Sequence, residues 1–219
     1  MALILNLETA TRNCSVALAR DGAVVASRDF AGEGYSHAEK LHVFIEEVLA
    51  EAGKSFAGLE AVAVSRGPGS YTGLRIGVSA AKGFCHALGI PLLAIDTTLV
   101  LASMAGEMQG SIVPLIDARR MEAYTAVYGP NLRMVAPISA EILTPESFHG
   151  TQKPIHFVGD CQEKAATVLS GPDYHYHQEI VFPSAVAMAK FAEVKFQEQD
   201  FEDVAYFEPF YLKDFIAGK

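Results

Sequence analysis

The order of secondary structure elements constrains the fold of this chain more than any other feature. Three strand-like segments, the second and third joined by an Asp21-Gly22 turn, are followed by a helix, a strand, a helix, a strand and a helix. After about residue 110 a similar order begins again, without obvious sequence identity, and it includes a short helix after Thr144 and a strand at residues 178–181. A chain that runs βββαβαβα twice is predicted to form two α/β lobes, assigned here to residues 1–106 and 107–219.

Composition excludes several classes of protein. The 219 residues are 50% hydrophobic and 20% charged, which is enough apolar material for a buried core and argues against disorder. The formal net charge is −9, so the chain is expected to be a poor binder of RNA or DNA on its own. Any nucleic acid is expected to be held mainly by a partner.

Cysteine usage and the first residues indicate a cytoplasmic protein. Cys14, Cys85 and Cys161 are scattered and form no CxxC pair, which is typical of a reducing compartment. The first residues lack the basic and apolar regions of a signal peptide, and no apolar run approaches the ~20 residues of a membrane span. We therefore expect a cytoplasmic protein without a membrane segment.

A glycine-rich stretch at residues 67–77 separates a buried strand, residues 59–65, from a helix at about 72–88. A strand, a glycine turn and a helix N-terminus together form the usual cradle for a phosphate group. The same glycines also permit close packing, since Gly73 and Gly77 leave one helix face nearly bare. The pattern favours close packing over a phosphate site.

Five sets of segments carry a resemblance to a known family. They are residues 5–9 with 14–18, 36–41, 67–77 with 81–83, and 116–124, with a weaker likeness at 209–213. They resemble the TsaB (YeaZ) family, whose members are non-catalytic subunits of the bacterial machinery that makes threonylcarbamoyladenosine (t6A) on tRNA. The resemblance implies an ASKHA fold, in which two RNase H-like lobes face each other as in actin-like ATPases.

The resemblance also implies partners and cofactors. It implies a TsaD-like catalytic paralogue that holds the metal, a TsaE-like ATPase, a homodimer when the paralogue is absent, and contact with tRNA only through the complex. This chain itself is then expected to be no enzyme, with no catalytic residue, no metal and no cofactor, while ATP and metal belong to the partner subunits. No membrane is implied.

Two helices of the first lobe match those through which family members pair. One covers residues 36–52 and is predicted to begin with a capping box from Ser36 to Glu39, and the other covers residues 72–88. Together they are predicted to form a helix–helix seam with a partner, and a bulky residue at Gly77 is expected to abolish pairing without loss of helicity. The alternative is that both helices cover their own sheet. The residues assigned to the seam are Leu41, Phe44, Ile45, Val48, Gly73, Gly77, Ala80 and Ala81.

The turns that would bind nucleotide in this fold lack the glycines that let backbone approach phosphate. Glu8 and Thr9 in the first lobe, and Asp117, Arg119 and Arg120 in the second, remain possible contacts for an anion or nucleotide. The arginines are equally consistent with structural pairing to Glu122 or Asp117. The alternative functions are an ASKHA small-molecule kinase or ATPase and, less favoured, a peptidase.

Histidine spacing and the aromatic C-terminal segment complete the expectations. His37 and His42 are five apart and point about 140° away from each other on a helix, so a shared metal is not expected. His175 and His177 are interpreted as a surface pair without metal. The aromatic residues from Phe201 to Phe215 are expected to strap the chain's own lobes, the alternative being a partner surface.

Overall fold

The computed structural model describes residues 2–32 and 36–213, which contain two five-stranded sheets. The strands are β1 Leu3–Glu8, β2 Asn13–Arg20, β3 Ala23–Ala31, β4 Ala61–Gly67, β5 Leu92–Asp96, β6 Ser111–Asp117, β7 Glu122–Tyr128, β8 Met134–Ile142, β9 Ile155–Val158 and β10 Tyr174–Tyr176. The helices are α1 His37–Glu51, α2 Tyr71–Leu88, α3 Thr97–Ser103, α4 Gln162–Ala166 and α5 Ala185–Glu198.

Both sheets have the same topology, as the repeated element order predicts. The first has the order β3-β2-β1-β4-β5 and the second β10-β9-β6-β7-β8. In each, the first three strands are antiparallel and the next two are added in parallel. This is the arrangement expected of an RNase H-like lobe, and it appears twice although the two halves differ in sequence.

The chain divides into two units at positions that differ from the predicted boundary between residues 106 and 107. One unit comprises residues up to Thr97 together with Ser184–Tyr211, and the other comprises Thr98–Pro183 with Leu212 and Lys213. Helix α5 belongs to the first unit because it packs on β1 and β2 through a buried face containing Met188 and Ala192. Helix α3 belongs to the second. The last helix of each repeat is therefore exchanged, which a boundary drawn along the sequence does not anticipate.

Three local predictions also need correction. The strand expected at residues 178–181 does not form, because the Ile180 N–H donates to the His177 carbonyl and closes a turn there. The strand β10 lies earlier in the chain, at Tyr174–Tyr176. The helix expected after Thr144 is a series of turns. Ser36 precedes α1 without a side-chain cap hydrogen bond, so the expected capping box does not form. Short elements are decided by tertiary contacts that local pattern does not reveal.

Apolar side chains from both faces of each sheet form the cores. In the first unit α1 and α2 contribute to a cluster that includes Leu5, Val16, Ile45, Val62 and Val78, all nearly inaccessible to solvent. The second unit has one cluster on either side of its sheet. None of the helices within residues 2–32 and 36–213 has the length and apolarity needed to cross a bilayer.

The three cysteines are buried in these cores, and we predict that their thiols are unreactive in the native protein. Burial raises the pKa of Cys14, Cys85 and Cys161 to about 11 each, so little thiolate exists at neutral pH. Incubation with iodoacetamide at pH 8 followed by mass measurement should show no rapid alkylation until denaturant is added. Fast modification of the native chain would contradict this.

Candidate functional site

The glycine-rich segment packs on the turn between β1 and β2. A methyl group placed on Gly69 would overlap the backbone of Ala10, and one placed on Gly73 would overlap the carbonyl oxygen of Thr9. At Gly77 the same methyl group would overlap the Thr9 hydroxyl. That hydroxyl donates a hydrogen bond to the Gly73 carbonyl at 2.8 Å, so α2 and the β1–β2 turn lie in backbone-to-backbone contact.

The first glycine of the segment accommodates the C-terminal chain. Gly67 has a φ of 116°, and a Cβ there would lie 2.7 Å from the Phe210 carbonyl oxygen. The Phe210 N–H donates to the Arg66 carbonyl at 2.7 Å, which fixes the crossing. These glycines serve close packing within the chain, the alternative that the sequence favoured over a phosphate cradle.

Glu8 lies at the end of β1 and is completely buried. Its Oε1 accepts a hydrogen bond from the Ala10 N–H at 2.6 Å, whereas Oε2 has no partner within hydrogen-bonding distance among the described residues. Burial raises the pKa of Glu8 to about 7, and weaker interactions with the Ser65 hydroxyl and the Ala10 N–H lower it only in part. Glu8 and Thr9 are thus part of the interior of the first unit.

Most residues assigned to the partner seam are buried in the chain's own core. Leu41, Ile45, Val48 and Ala81 are fully buried, and the bare faces of Gly73 and Gly77 are covered by Thr9. Phe44 and Ala80 remain partly accessible. The alternative, that these helices cover their own sheet, holds for the buried residues. The expectation for Gly77 is also corrected, because a bulky residue there would disturb the monomer itself.

A second stripe of α2 is apolar, with Gly83 and Ala87 exposed and Ile76 and Ala80 half-buried. Ile76, Ala80, Gly83 and Ala87 recur at spacings of four, three and four, so they share one side of the helix. Nothing lies within 4 Å of a Cβ built on Gly83, whereas the neighbouring Phe84 stacks on Phe56 and lies beside His42 of α1. Val43 of α1 is 50% exposed. We call His42, Val43, Ile76, Ala80, Gly83, Phe84 and Ala87 the α1–α2 face.

In the second unit the β6–β7 hairpin presents Arg119 and Arg120. Neither side chain makes an ion pair with a described residue, so the structural pairing weighed from the sequence does not form. The carboxylate of Asp117 is instead bound by Lys164 at 2.6 Å, and that of Glu122 is bound by Lys213. The arginines therefore remain available to an anion from outside the described chain.

The histidines form no metal centre in the described chain. His37 is buried, and its Nε2 lies 2.8 Å from the Thr11 carbonyl oxygen. His175 and His177 are joined by His156, whose Nδ1 lies 3.0 Å from Nε2 of His177. Across residues 2–32 and 36–213, no group of three His, Cys, Asp or Glu side chains is arranged to hold a metal ion.

The aromatic C-terminal segment straps the first unit as far as it is described. Phe207 packs against the core, Lys82 Nζ donates to the Phe207 carbonyl at 2.8 Å, and the rings of Tyr71 and Tyr211 lie 4.9 Å apart. Tyr206 is an exception, because it is 84% exposed. The last aromatic residue of the prediction, Phe215, lies outside the described residues.

Comparison with known proteins matches this chain to proteins named for t6A synthesis on tRNA. The chain is 29% identical over 227 residues to the tRNA threonylcarbamoyladenosine biosynthesis protein TsaB of Escherichia coli, covering 99% of this chain and 96% of the relative. It is 30% identical over 161 residues to TsaB of Bacillus subtilis, covering 71% and 70% of the two chains. The chain belongs to the TsaB (YeaZ) family.

Solved structures and a family profile agree with the TsaB assignment. The structure described as YeaZ from Pseudomonas aeruginosa superposes with a TM-score of 0.82 at 25% identity, over 97% of this chain and all of that one. The profile of TsaD, described as tRNA N6-adenosine threonylcarbamoyltransferase, matches residues 34–218. This TsaB-family chain is thus related to a transferase of t6A synthesis, and the predicted ASKHA fold class is confirmed.

Proposed function

We propose that this chain is a non-catalytic subunit in t6A synthesis that docks on a TsaD-like threonylcarbamoyl transferase through its α1–α2 face. The observation that carries the proposal is the accessible stripe Ile76, Ala80, Gly83 and Ala87 on a helix whose other side is already packed. Small residues in such a stripe let another helix approach closely, and the half-buried Phe84 beside Gly83 supplies a larger apolar contact.

The non-catalytic part of the proposal is supported by how the nucleotide-type elements are used. The glycines of residues 67–77 contact the chain's own backbone, so an α2 phosphate cradle would have to displace the β1–β2 turn. The acid of the first lobe, Glu8, is buried and holds the Ala10 N–H. We propose that ATP and metal are bound by partner subunits, including a TsaE-like ATPase, and that tRNA is engaged through the complex.

Substitution of Ala80 by arginine tests the seam. Burying an unpaired charge at the centre of a helix interface costs about 3 kcal/mol, so Ala80→Arg should raise the Kd for the TsaD-like paralogue of the same organism about 100-fold. Sedimentation velocity measures this Kd and, in the same experiment, the self-association expected when the paralogue is absent. The circular dichroism spectrum of the isolated chain should be unchanged, since Ala80 is only half-buried and an arginine there can extend its charged end into solvent.

Val194 provides the matched control for that experiment. It is 51% exposed on α5, a different helix of the same unit. Val194→Arg should leave the Kd within about twofold of the wild-type value. Equal Kd values for Ala80→Arg and the wild type would refute the α1–α2 face as the docking surface.

Nucleotide binding separates this proposal from the kinase or ATPase alternative. The purified chain alone should show no turnover of Mg-ATP and no micromolar affinity for it. Tight binding with turnover by the isolated chain would favour the kinase instead.

A further inference from the structure

The tip of the β6–β7 hairpin carries two adjacent arginines in an unusual backbone conformation. Arg119 and Arg120 have φ angles of 70° and 51°, a left-handed region that side chains other than glycine and asparagine rarely adopt. The turn is held by the Glu122 N–H on the Arg119 carbonyl and the Ala118 N–H on the Glu122 carbonyl, each at 3.2 Å. At these two positive φ angles, asparagine or glycine would be less strained than arginine.

The charges around this tip leave the two arginines without a counter-ion. Of the nearby acids, Asp117 is bound by Lys164 and Glu122 by Lys213, while Asp160 accepts the Asp117 N–H at 2.8 Å. Both arginines are exposed and neither is ion-paired with a described residue. A local surplus of positive charge in a chain of net charge −9 indicates a specific use for it.

An aromatic ring lies among these cations. Lys213 Nζ lies 5.9 Å from the ring centroid of Tyr124, and Met121 at the hairpin tip is 37% exposed. Burial raises the pKa of the Tyr124 hydroxyl, while the charges of Lys213 and Arg119 lower it and that of Glu122 raises it, so all three lie near this side chain. Cations interleaved with an aromatic and an apolar side chain are typical of surfaces that contact RNA backbone and unstacked bases.

We propose that this hairpin is an RNA contact, in which Arg119 and Arg120 bind backbone phosphates of the tRNA substrate. A polyanion fits better than a single nucleotide, because exposed charges are strongly screened and each contributes little to binding a small ligand. Proteins bind phosphate backbones through many contacts between cationic side chains and phosphates, which are additive and depend on salt. The identity of the RNA rests on the proposed function, whereas the polyanion site rests on the hairpin alone.

The test uses the chain assembled with its TsaD-like paralogue and an in vitro transcribed tRNA. Each lost phosphate contact lowers the slope of log Kd against log salt by about 0.7 to 0.9. R119E/R120E should therefore lower the slope by about 1.5 and raise the tRNA Kd at least about tenfold at physiological salt. Pairing with the paralogue, measured by mass, should be unchanged.

Arg133 is the matched charge control, since it is exposed at the β7–β8 turn, the opposite end of the same strands. R133E should leave the tRNA Kd within about twofold. A second variant, R119N/R120G, separates a structural role from a binding role. Because asparagine and glycine tolerate the positive φ angles at these positions, it should raise the Tm of the chain and still weaken tRNA binding. A lower Tm with unchanged tRNA affinity would overturn the proposal.

Intact pairing with unchanged tRNA affinity and salt slope in R119E/R120E would overturn the RNA contact and leave the proposed function standing. If the wild-type chain does not pair at all, the proposed function fails, and the hairpin is then tested on the chain alone. In that case amide NMR shifts at residues 119–122 should respond to the tRNA transcript. Shifts caused by poly-glutamate and not by the tRNA would indicate an acidic protein as the partner and overturn the proposal.

Discussion

Replacing Gly73 with alanine is expected to destabilise the isolated chain by about 3 kcal/mol, although alanine is the better helix former. The added methyl group would overlap the carbonyl oxygen of Thr9, which is backbone and has no rotamer to change. Relief requires α2 to move off the β1–β2 turn, with loss of the Thr9–Gly73 hydrogen bond. Urea unfolding followed by circular dichroism measures the change in the free energy of unfolding.

Gly83 in the same helix is the control for this substitution. No atom lies within 4 Å of a Cβ built there, so Gly83→Ala should stabilise the isolated chain by about 0.5 to 1 kcal/mol. Opposite signs for two identical substitutions, ten residues apart in one helix, would show that the close contact is responsible. Similar values at both positions would refute the packing role of Gly73.

Replacing Glu8 with glutamine is expected to change the free energy of unfolding in a way that depends on pH. The gain in stability should be about 3 kcal/mol larger at pH 8 than at acidic pH. The folded-state pKa of Glu8 is raised by burial to about 7 from an ordinary value of 4.5, so folding favours the protonated acid. That contribution is fully present below pH 4.5 and is lost as the pH rises through 7. Glutamine remains neutral throughout and is not penalised.

The measurement for Glu8 is the free energy of unfolding of both proteins from pH 4 to pH 8.5. The difference between glutamine and glutamate should grow between about pH 4.5 and 7 and then become constant, since both pKa values have then been passed. Asp29, which also raises the pKa of Glu8, offers a comparison: Asp29→Asn should have a smaller effect on the pH dependence. A difference that does not vary with pH would contradict the buried, neutral Glu8.

The element order was predicted well from the sequence because the spacing of apolar residues and the positions of turn residues determine it locally. Alternating strands around Asp21-Gly22 and the long helices reappear close to their expected bounds, and the two sheets share one topology. What local pattern did not contain was the exchange of α3 and α5 between units, since packing across distant parts of the chain decides it. The three-residue strand β10 was not predicted at its observed position for the same reason.

The residues assigned to the seam show that apolar periodicity and family resemblance give different information. Leu41, Ile45 and Val48 recur at helical spacing because they face the chain's own core, which is the ordinary meaning of apolar periodicity. The resemblance indicated which helices were predicted to dock, whereas the apolar pattern indicated only the sides of those helices that face the chain's own core. The weaker stripe of Ile76, Ala80 and Gly83 was readable in the sequence, but small residues gave it little apolar signal.

If this chain contributes a docking surface and no chemistry, its concentration should set how much complex forms and not the rate of transfer within the complex. The dependence of t6A formation on the concentration of this chain is the most direct test. The reconstituted partners are assayed with increasing amounts of wild-type or Ala80→Arg chain. We predict the same maximal rate for both, reached at a concentration about 100-fold higher for Ala80→Arg. A reduced maximal rate with an unchanged midpoint, or threonylcarbamoyl transfer by this chain alone, would contradict it.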